Sequence, residues 1–407
     1  MTVREVPSAT TREKVVIAGL LTASTDRELF EEDMHEMEQL CDTAGAEVVA
    51  IFRQQRERIA TGTYLGYGKL NEIRGVMKSH GAATLIIDAP LAPGQIKTIE
   101  QIIQGKVIDR AQLILDIFSL HAKTAEARLQ VELAQMRILY PRLTHAWSHF
   151  SQQVGGIGTR GPGEKQLEVD RRLIQNRITE LKRKLTKIEK VRTIQRGGRG
   201  PVFKAVLVGY TNVGKSSLLN ALCGSTVLVE NKLFATLDTT TRRSYIPGSG
   251  SIVFSDTVGL LRNLPHHLVA SFRSTLSEVS EAQLLLVVMD ASSCWIDEQL
   301  KTVISVLADL GAADIPQLLV FNKIDLVNDP FTTKKLHLDF PDALFVSSFS
   351  TGDIVQIKTA VGERVRRHTT EAAEKSIIAR TTRMYRGTLA TPLPPHPAKP
   401  APYPAEP

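Results

Sequence analysis

The chain has 407 residues, of which 43% are hydrophobic and 23% are charged. This composition is that of a globular protein with about two to three domains, and it excludes wholesale disorder. The sequence lacks an apolar run of about 18 residues and a signal-peptide core, which excludes a membrane-embedded or secreted class. Three scattered cysteines without CxxC spacing exclude a disulfide framework and a zinc module. We expect a monomeric, cytoplasmic protein.

The net charge of +7 comes from one segment. Residues 121–200 hold 17 Lys and Arg against 7 Asp and Glu, which leaves the rest of the chain slightly acidic. A local basic surplus is typical of an element that faces a polyanion, and nucleic acid is the commonest polyanion. A solvated helix that Lys and Arg keep soluble is the alternative.

The N-terminal part alternates strand and helix patterns. Val- and Ile-rich runs of strand length occur at residues 14–20, 46–52 and 83–88, and apolar residues recur at helical spacing between them. After an N-terminal arm, residues 1–13, this pattern predicts a small parallel α/β subdomain over residues 14–110.

Residues 111–196 predict a basic helical hairpin. One helix is expected from 111 to about 145, and a second helix carries an a/d apolar seam after a glycine-rich stretch. Two long helices joined by a loop favour an antiparallel pair. The glycine-rich loop, residues 155–168, is expected at the tip, with Arg160 free to reach a partner.

A glycine-rich hinge, residues 197–201, precedes a second α/β pattern over residues 202–368. Alternating strand, loop and helix predict a doubly wound, mostly parallel sheet. From residue 369 the hydrophobic pattern fades, and eight of the last sixteen residues are proline, so residues 369–407 are predicted to be an extended or disordered tail. The predicted strands are residues 203–208, 252–255, 284–289, 317–321 and 343–347.

The string GYTNVGKS at residues 209–216 carries the strongest functional signal. It follows an apolar strand and precedes a helical run, which is the context of a phosphate-binding P-loop. Its glycines let backbone N–H groups surround the phosphates, Lys215 is expected on the β- and γ-phosphates, and the Ser216 hydroxyl on Mg²⁺. The predicted phosphate-binding residues are Gly209, Tyr210, Thr211, Asn212, Val213, Gly214, Lys215 and Ser216.

The string DTVG at residues 256–259 closes the strand that follows. Its aspartate can support the Mg²⁺ shell, and the Gly259 amide can donate to the γ-phosphate because glycine lets the backbone approach closely. An ordinary strand-ending turn is the alternative. The residues predicted here are Asp256, Thr257, Val258 and Gly259.

The string NKID at residues 322–325 indicates the base. The Asp325 carboxylate can accept hydrogen bonds from the N1–H and N2 amino groups of guanine, whereas adenine presents an acceptor at N1. Asn322 is expected to bond the guanine edge or the P-loop, the stem of Lys323 to cover the base, and the SSF string at 347–349 to place an N–H on guanine O6. The predicted base-binding residues are Asn322, Lys323, Ile324, Asp325, Ser347, Ser348 and Phe349.

A threonine-rich segment, residues 233–243, lies between the P-loop and DTVG. A nucleotide-sensing switch needs one threonine whose hydroxyl reaches Mg²⁺ and whose N–H reaches the γ-phosphate. We choose Thr236 for this role, and leave Thr239, Thr240 and Thr241 open as alternatives. The predicted catalytic residues are Lys215, Thr236 and Gly259, and the predicted metal ligands are Ser216 and Thr236.

With the P-loop, the threonine-rich segment, DTVG and NKID in this order, the C-terminal half resembles a translation-factor-type GTPase. The residue after DTVG is Leu260, where many GTPases carry a glutamine that orients the attacking water. Leucine has no hydrogen-bonding group, so intrinsic turnover is expected to be slow until a partner-supplied group or a monovalent cation completes the site. Asn212 resembles the potassium-coordinating asparagine of related GTPases, so K⁺ near the β- and γ-phosphates is a hypothesis. A loop-stabilising Asn212 side chain is the alternative.

Four further strings narrow the resemblance beyond a translation-factor-type GTPase. TYLGYGK at residues 63–69, LQVELAQ at 129–135, GGIGTRGPGE at 155–164 and QLEVDRR at 166–172 resemble the HflX family of ribosome-associated GTPases, with a likeness over roughly residues 14–365. The resemblance implies an α/β subdomain with a helical hairpin, then a GTPase domain that binds GTP and GDP. It also implies binding to the large ribosomal subunit and its RNA, and splitting or rescue of stalled ribosomes under stress.

The resemblance further identifies the switch as FATLD, with Thr236 on Mg²⁺, and directs the loop around Arg160 toward ribosomal RNA. Lys165 departs from the threonine usual in the family, and the proline-rich tail stands where members often carry a further domain. A ribosome-assembly or RNA-processing GTPase and a nucleotide-regulated protein scaffold stay open as rival functions. The switch residues are Phe234, Ala235, Thr236, Leu237 and Asp238.

Overall fold

The structure of the chain is a computed structural model. It describes residues 12–23, 25–146, 162–197, 202–224, 233–234, 236–262 and 278–388. Several features predicted from the sequence lie outside the described residues: most of the N-terminal arm, the hairpin tip with Arg160, residues 198–201 of the hinge, Ala235, and residues 389–407. None of the described helices is both long and apolar enough to span a bilayer.

The N-terminal unit is a four-stranded parallel sheet between two layers of helices. Its elements are β1 (Glu13–Leu21), α1 (Arg27–Thr43), β2 (Ala46–Gln55), α2 (Tyr67–His80), β3 (Thr84–Ile87), α3 (Pro93–Ile103), β4 (Lys106–Asp109) and α4 (Arg110–His121). The strand order is β2-β1-β3-β4. Because side chains alternate along a strand, Val15 and Ile17 pack on one helix layer while Val16 and Ala18 pack on the other.

Helix α1 follows the signals expected of an amphipathic helix. Asp26 caps its start, because the carboxylate accepts hydrogen bonds from the amides of Glu28 at 2.8 Å and Leu29 at 3.1 Å. Met34 and Met37 on its apolar face are fully buried against the sheet. Glu36 and Asp33 of the same helix contact Tyr210 and Arg262 of the C-terminal part of the chain.

The hairpin consists of α5 (Ala125–Ala146) and α6 (Pro162–Gly197). Leu133, Ile178 and Leu181 form its buried core. The helices are antiparallel, because Glu132 pairs with Arg177 at 2.6 Å whereas Tyr140, further along α5, meets Arg171, further back on α6. The predicted antiparallel pair is therefore present.

The start of the hairpin differs from the prediction of one helix from 111 to about 145. Helix α4 ends at His121, and α5 begins at Ala125 after a short extended corner. Thr124 caps α5, since its hydroxyl accepts a hydrogen bond from the Ala127 amide at 3.1 Å. Phe118 of α4 is buried in the N-terminal core, so α4 belongs to that unit and the hairpin begins at Ala125. The apolar pattern continued across the corner because both helices are buried there.

The C-terminal unit is a six-stranded sheet with helices on both faces. Its elements are β5 (Phe203–Gly209), α7 (Lys215–Cys223), β6 (Thr240–Ile246), β7 (Gly250–Asp256), β8 (Leu284–Asp290), α8 (Ile296–Asp309), β9 (Gln317–Asn322), a 3-10 turn (Ile324–Leu326), α9 (Pro330–Asp339), β10 (Leu344–Phe345) and α10 (Thr351–Thr388). The strand order is β10-β9-β8-β5-β7-β6, and every pair is parallel except β6 with β7. The predicted fold class, a doubly wound and mostly parallel sheet, is confirmed.

Two strands and part of the last helix were not predicted. Strand β4 has only four residues, and β6 is a polar edge strand, so neither has a strong apolar signal. Residues 369–388, predicted as part of an extended or disordered tail, continue α10 as a helix. This stretch contains no proline, and nine of its twenty residues are Ala, Glu, Lys or Arg, which have high helix propensity.

The hairpin core gives a direct test of this arrangement. Leu181→Ala should lower the free energy of unfolding by about 2–5 kcal/mol, because removing this fully buried side chain leaves a cavity between the two helices. Leu173→Ala on the same helix is the matched control, since Leu173 is 60% exposed and should cost less than about 0.5 kcal/mol. Urea denaturation followed by circular dichroism measures both, and equal losses would contradict the assigned core.

Candidate functional site

The predicted motifs meet at one edge of the C-terminal sheet. Strands β5, β7 and β9 end there in the P-loop, DTVG and NKID, because the carboxyl ends of parallel strands share an edge. They surround a cavity of about 390 Å³. Its lining residues are Thr211, Asn212, Gly214, Lys215, Ser216, Ser217, Phe234, Thr236, Thr257, Gly259, Asn322, Lys323, Asp325, Leu326, Ser348 and Phe349.

Two lining residues were missed from the sequence, and several predicted residues stand behind the lining. Ser217 and Leu326 each follow a motif directly, and adjacency was the only signal that could have found them. The predicted residues outside the lining support the loops through backbone or buried contacts. They are Gly209, Tyr210, Val213, Leu237, Asp238, Asp256, Val258, Ile324 and Ser347.

Lys215 begins helix α7 and is nearly completely buried. Its Nζ donates to the carbonyl oxygens of Tyr210 at 2.6 Å and Gly209 at 3.2 Å, so the amine closes the P-loop on itself. Burial lowers the pKa of Lys215 to about 8, and the nearby Asp256 carboxylate opposes that shift. An anionic phosphate bound in the loop would therefore supply the counter-charge that this buried amine needs.

Three oxygen-bearing side chains converge beside Lys215. The Ser216 hydroxyl donates to Asp256 Oδ2 at 2.5 Å and lies 2.9 Å from the Thr236 hydroxyl. The other carboxylate oxygen, Oδ1, is buried and has no hydrogen-bond partner among the described residues. Burial raises the pKa of Asp256, and the Lys215 ammonium opposes the shift. This set of hard oxygen donors fits Mg²⁺.

Ser216 and Thr236 would hold Mg²⁺ directly, with Asp256 behind them. The bound ion would neutralise charge on the β- and γ-phosphates. Within the described residues no group of three or more His, Cys, Asp or Glu could hold a metal, so the hydroxyls carry the metal-binding argument.

The alternative threonines point to other partners. Thr240 opens β6 and pairs with Asp256 through the backbone. Thr241 lies 3.0 Å from the Ser255 hydroxyl, and Thr239 donates to Glu278 at 3.4 Å. Of the four candidates, the structure brings the Thr236 hydroxyl to Ser216.

Asn322 joins three motifs through its side-chain amide. Its Nδ2 donates to the Val213 carbonyl at 2.9 Å, and its Oδ1 accepts from the Ser348 amide at 3.0 Å. Of the two partners expected for Asn322, the structure shows the P-loop. A Cβ on Gly214 would lie 2.3 Å from Asn322 Nδ2, and Gly214 has a φ of 90°. Only glycine therefore fits at position 214, where the Asn322 side chain approaches the P-loop backbone.

The base end of the cavity is bounded by NKID and SSF. Lys323 adopts a φ of 61°, and its Nζ pairs with Asp290 at 2.7 Å, which directs its stem along the cavity. Asp325 and the exposed Phe349 complete this end. The amide of Ser347 donates to Asp353 at 2.8 Å, and that of Phe349 to the Ser347 hydroxyl at 3.3 Å. A guanine O6 would therefore compete for one of these amides.

Comparison with known proteins places the chain in a family. A protein named GTPase HflX from Flavobacterium psychrophilum is 49% identical over 313 residues, which is 77% of this chain and 76% of the relative. The chain belongs to the HflX family of GTPases. The Escherichia coli K12 member is 42% identical over 338 residues, 82% of this chain and 79% of that one. The chain therefore binds GTP and hydrolyses it.

Family models match the chain in three consecutive parts. A "GTP-binding GTPase N-terminal" region matches residues 31–119, a "Middle Region" matches 121–199, and a "50S ribosome-binding GTPase" domain matches 204–323. A solved complex of the protein SsGBP with GDP is 24% identical, covering 88% of this chain and 99% of that one, with a TM-score of 0.49. That likeness is too remote to inform the site.

In this HflX protein, Leu260 is fixed where a catalytic glutamine is common. Its amide donates to the Gly209 carbonyl at 3.1 Å, and its carbonyl accepts from the Thr211 amide at 2.9 Å. The Leu260 side chain is buried in the apolar core that contains Val206 and Met289. Position 260 therefore faces away from the cavity, and the side chain there cannot orient water without a change in the loop.

The HflX P-loop is also tied to the N-terminal unit. The Tyr210 hydroxyl accepts from the Arg262 amide at 2.9 Å and donates to Glu36 on α1 at 2.5 Å. Arg110, the first residue of α4, pairs with the second Glu36 oxygen and with Asp88 at 2.8 Å. Burial lowers the pKa of Arg110, and neighbouring acidic groups oppose the shift.

A second ion pair flanks the same contact. Arg262 Nη2 lies 2.9 Å from Asp33 Oδ1, and both side chains are largely buried. The loop after Gly259 is thus held by its backbone, by Tyr210 and by an acidic residue of α1. These bonds fix the position of DTVG relative to the N-terminal unit.

Replacing Leu260 tests whether the position can act on water. Leu260→Gln should leave GTP turnover within about twofold of the parent and lower stability by about 1–3 kcal/mol, because an amide enters an apolar core. Leu260→Met is the volume-conserving control and should cost less than about 1.5 kcal/mol. Single-turnover hydrolysis and thermal unfolding measure both effects. A tenfold gain in hydrolysis by the glutamine variant would contradict the buried placement.

Replacing Asp325 tests the base assignment. Asp325→Asn should weaken GTP binding about tenfold or more and improve xanthosine triphosphate binding, because the amide donor matches the O2 acceptor of xanthine. Asp339→Asn removes one carboxylate from the exposed surface of α9 and should change neither affinity. Titration with fluorescent nucleotides measures the preference. Unchanged GTP selectivity in the first variant would refute the assigned role.

Proposed function

We propose that this GTPase binds the large ribosomal subunit in its GTP state and leaves after hydrolysis, splitting or rescuing stalled ribosomes under stress. The observation that carries the proposal is the concentration of basic charge in the segment that contains the hairpin, 17 Lys and Arg against 7 Asp and Glu over residues 121–200. The domain family that matches residues 204–323, "50S ribosome-binding GTPase", agrees with a ribosomal partner.

The exposed side chains of α6 suit ribosomal RNA. Arg177 and Lys184 are engaged with Glu180, but other basic residues of α6 extend into solvent beside few acidic ones. Phosphate contacts of this kind supply affinity that falls steeply with added salt. The exposed basic residues include Arg172, Lys182, Arg183, Lys187 and Lys190.

GTP would control this binding through two groups of the pocket. In the proposed cycle the γ-phosphate engages the amides of Thr236 and Gly259, which favours the bound form, and phosphate release ends that engagement. Lys215 holds the β- and γ-phosphates of GTP and keeps the β-phosphate of GDP after phosphate release. The proposed setting is a monomer in the cytoplasm, where ribosomes are found.

Two rival functions make different predictions. A ribosome-assembly or RNA-processing GTPase would bind precursor particles rather than mature subunits. A nucleotide-regulated scaffold whose hairpin recognises a protein would bind with little dependence on salt. The basic surplus of the hairpin favours an RNA-containing partner.

The deciding experiment is GTP turnover in potassium buffer with and without isolated large ribosomal subunits. We expect stimulation of about tenfold or more, because Leu260 leaves the site incomplete until a partner completes it. Lys215→Ala should abolish turnover in both conditions. Arg160→Ala should keep the intrinsic rate and lose most of the stimulation. Slow turnover that mature subunits do not change would refute the proposal and favour a precursor particle or a protein partner.

We further propose that a potassium ion near Asn212 assists hydrolysis. Asn212 belongs to the phosphate-binding loop, is exposed at the cavity wall and has a φ of 59°. Turnover should therefore be faster in potassium than in sodium at equal ionic strength, and Asn212→Ala should remove the difference. Equal rates in the two salts would discard the cation and leave Asn212 a loop-stabilising role.

A further inference from the structure

The switch segment is attached to the N-terminal unit on both sides of Thr236. The attachment point is the α4–α5 corner, residues 118–127, which joins the N-terminal unit to the hairpin. No residue of this corner lines the nucleotide cavity as the structure describes it. The corner therefore touches the switch without touching the nucleotide.

Asp238 makes the first attachment. Its Oδ2 accepts hydrogen bonds from the amides of Lys123 and Thr124, both at 3.0 Å, and its Oδ1 accepts from the Thr124 hydroxyl. The Thr124 hydroxyl in turn accepts from the Ala127 amide in the first turn of α5. The Asp238 carboxylate thus completes the cap of α5, where a negative charge is favoured by the helix dipole.

Phe234 makes the second attachment. It is almost fully buried, and its ring meets the edge of Phe118 on α4 with a centroid distance of 4.7 Å and an interplanar angle of 78°. Leu237 is buried next to it. Edge-to-face contacts of this kind are directional, so the ring pair fixes the position of Phe234, the first residue of the switch. The Asp238 carboxylate fixes the position of the last residue in the same way.

Thr236 lies between these attachments, two residues from each. A chain spans at most about 3.6 Å per residue, so fixed ends at 234 and 238 restrict where the Thr236 hydroxyl can lie. Its observed place is 2.9 Å from the Ser216 hydroxyl. Holding the ends therefore lowers the entropy that Thr236 loses when it engages the metal and the γ-phosphate.

We propose that Asp238 is a positioning residue that couples the nucleotide state to the first turn of the hairpin helix α5. While GTP holds Thr236, Asp238 stays on the corner and α5 is capped; after hydrolysis the released switch caps α5 less often. Linkage makes the effect reciprocal: whatever stabilises the capped corner strengthens GTP over GDP. The coupling is a property of the free protein and does not rest on ribosome binding.

The test uses the full chain without any ribosome. Hydrogen exchange of the Lys123 and Thr124 amides is measured with the non-hydrolysable analogue GDPNP and with GDP. We expect exchange about fivefold or more slower with GDPNP in the parent protein, the low end of typical couplings. In Asp238→Asn that difference should shrink, because an uncharged amide oxygen is a weaker acceptor.

A second measurement is made from the hairpin side. Thr124→Val removes the hydroxyl at nearly constant volume and should lower the ratio of GDPNP to GDP affinity about fivefold, with GDP affinity unchanged. Thr124→Ser restores a hydroxyl and should restore the ratio. The double variant Thr124→Val with Asp238→Asn should lose little more than either single variant, since both break the same contact.

Two outcomes would overturn the proposal. One is equal exchange at Lys123 and Thr124 in both nucleotide states of the parent protein. The other is a Thr124→Val variant that melts at a lower temperature but keeps the parent ratio of GDPNP to GDP affinity, which would give the contact a purely structural role. Either result can occur whether or not large subunits stimulate turnover, so the two proposals fail separately.

Discussion

The structure depends on an ammonium group that has to be buried at the end of a strand. The Lys215 ammonium donates hydrogen bonds to two carbonyl oxygens and lies near the Asp256 carboxylate. These groups do not fully compensate the loss of hydration of a buried charge. The loop geometry, the glycine at 214 and the cross-brace from Asn322 all serve to hold backbone N–H groups around the space where an anion completes the site. The remaining motifs are arranged about that space.

Much of the nucleotide site could be predicted because its signals are local. A strand, a glycine-rich turn and a helix in direct succession identify residues 209–216, and the chemistry of one carboxylate indicates the base at Asp325. Most parallel strands of both sheets could also be predicted from the sequence, since buried parallel strands are continuous runs of Val, Ile and Leu. Short or polar strands such as β4 and β6 lacked this signal.

The features that sequence reasoning missed depend on contacts between distant parts of the chain. Asp238 looked like one more nucleotide contact in a switch, but its partners are the amides at 123 and 124. The break between α4 and α5 was hidden because apolar residues continue on both sides of it. The burial of Leu260 follows from a backbone bridge to Tyr210, which no spacing rule could indicate.

The polar contact between Tyr210, Glu36 and Arg110 has a consequence for how the two units stay together. An apolar interface tolerates sliding, because dispersion and hydrophobic burial depend weakly on angle. Hydrogen bonds and buried ion pairs lose strength steeply when their geometry changes. Tyr210, Glu36 and Arg110 therefore stay bonded over only a narrow range of angles between the N-terminal sheet and the nucleotide-binding sheet.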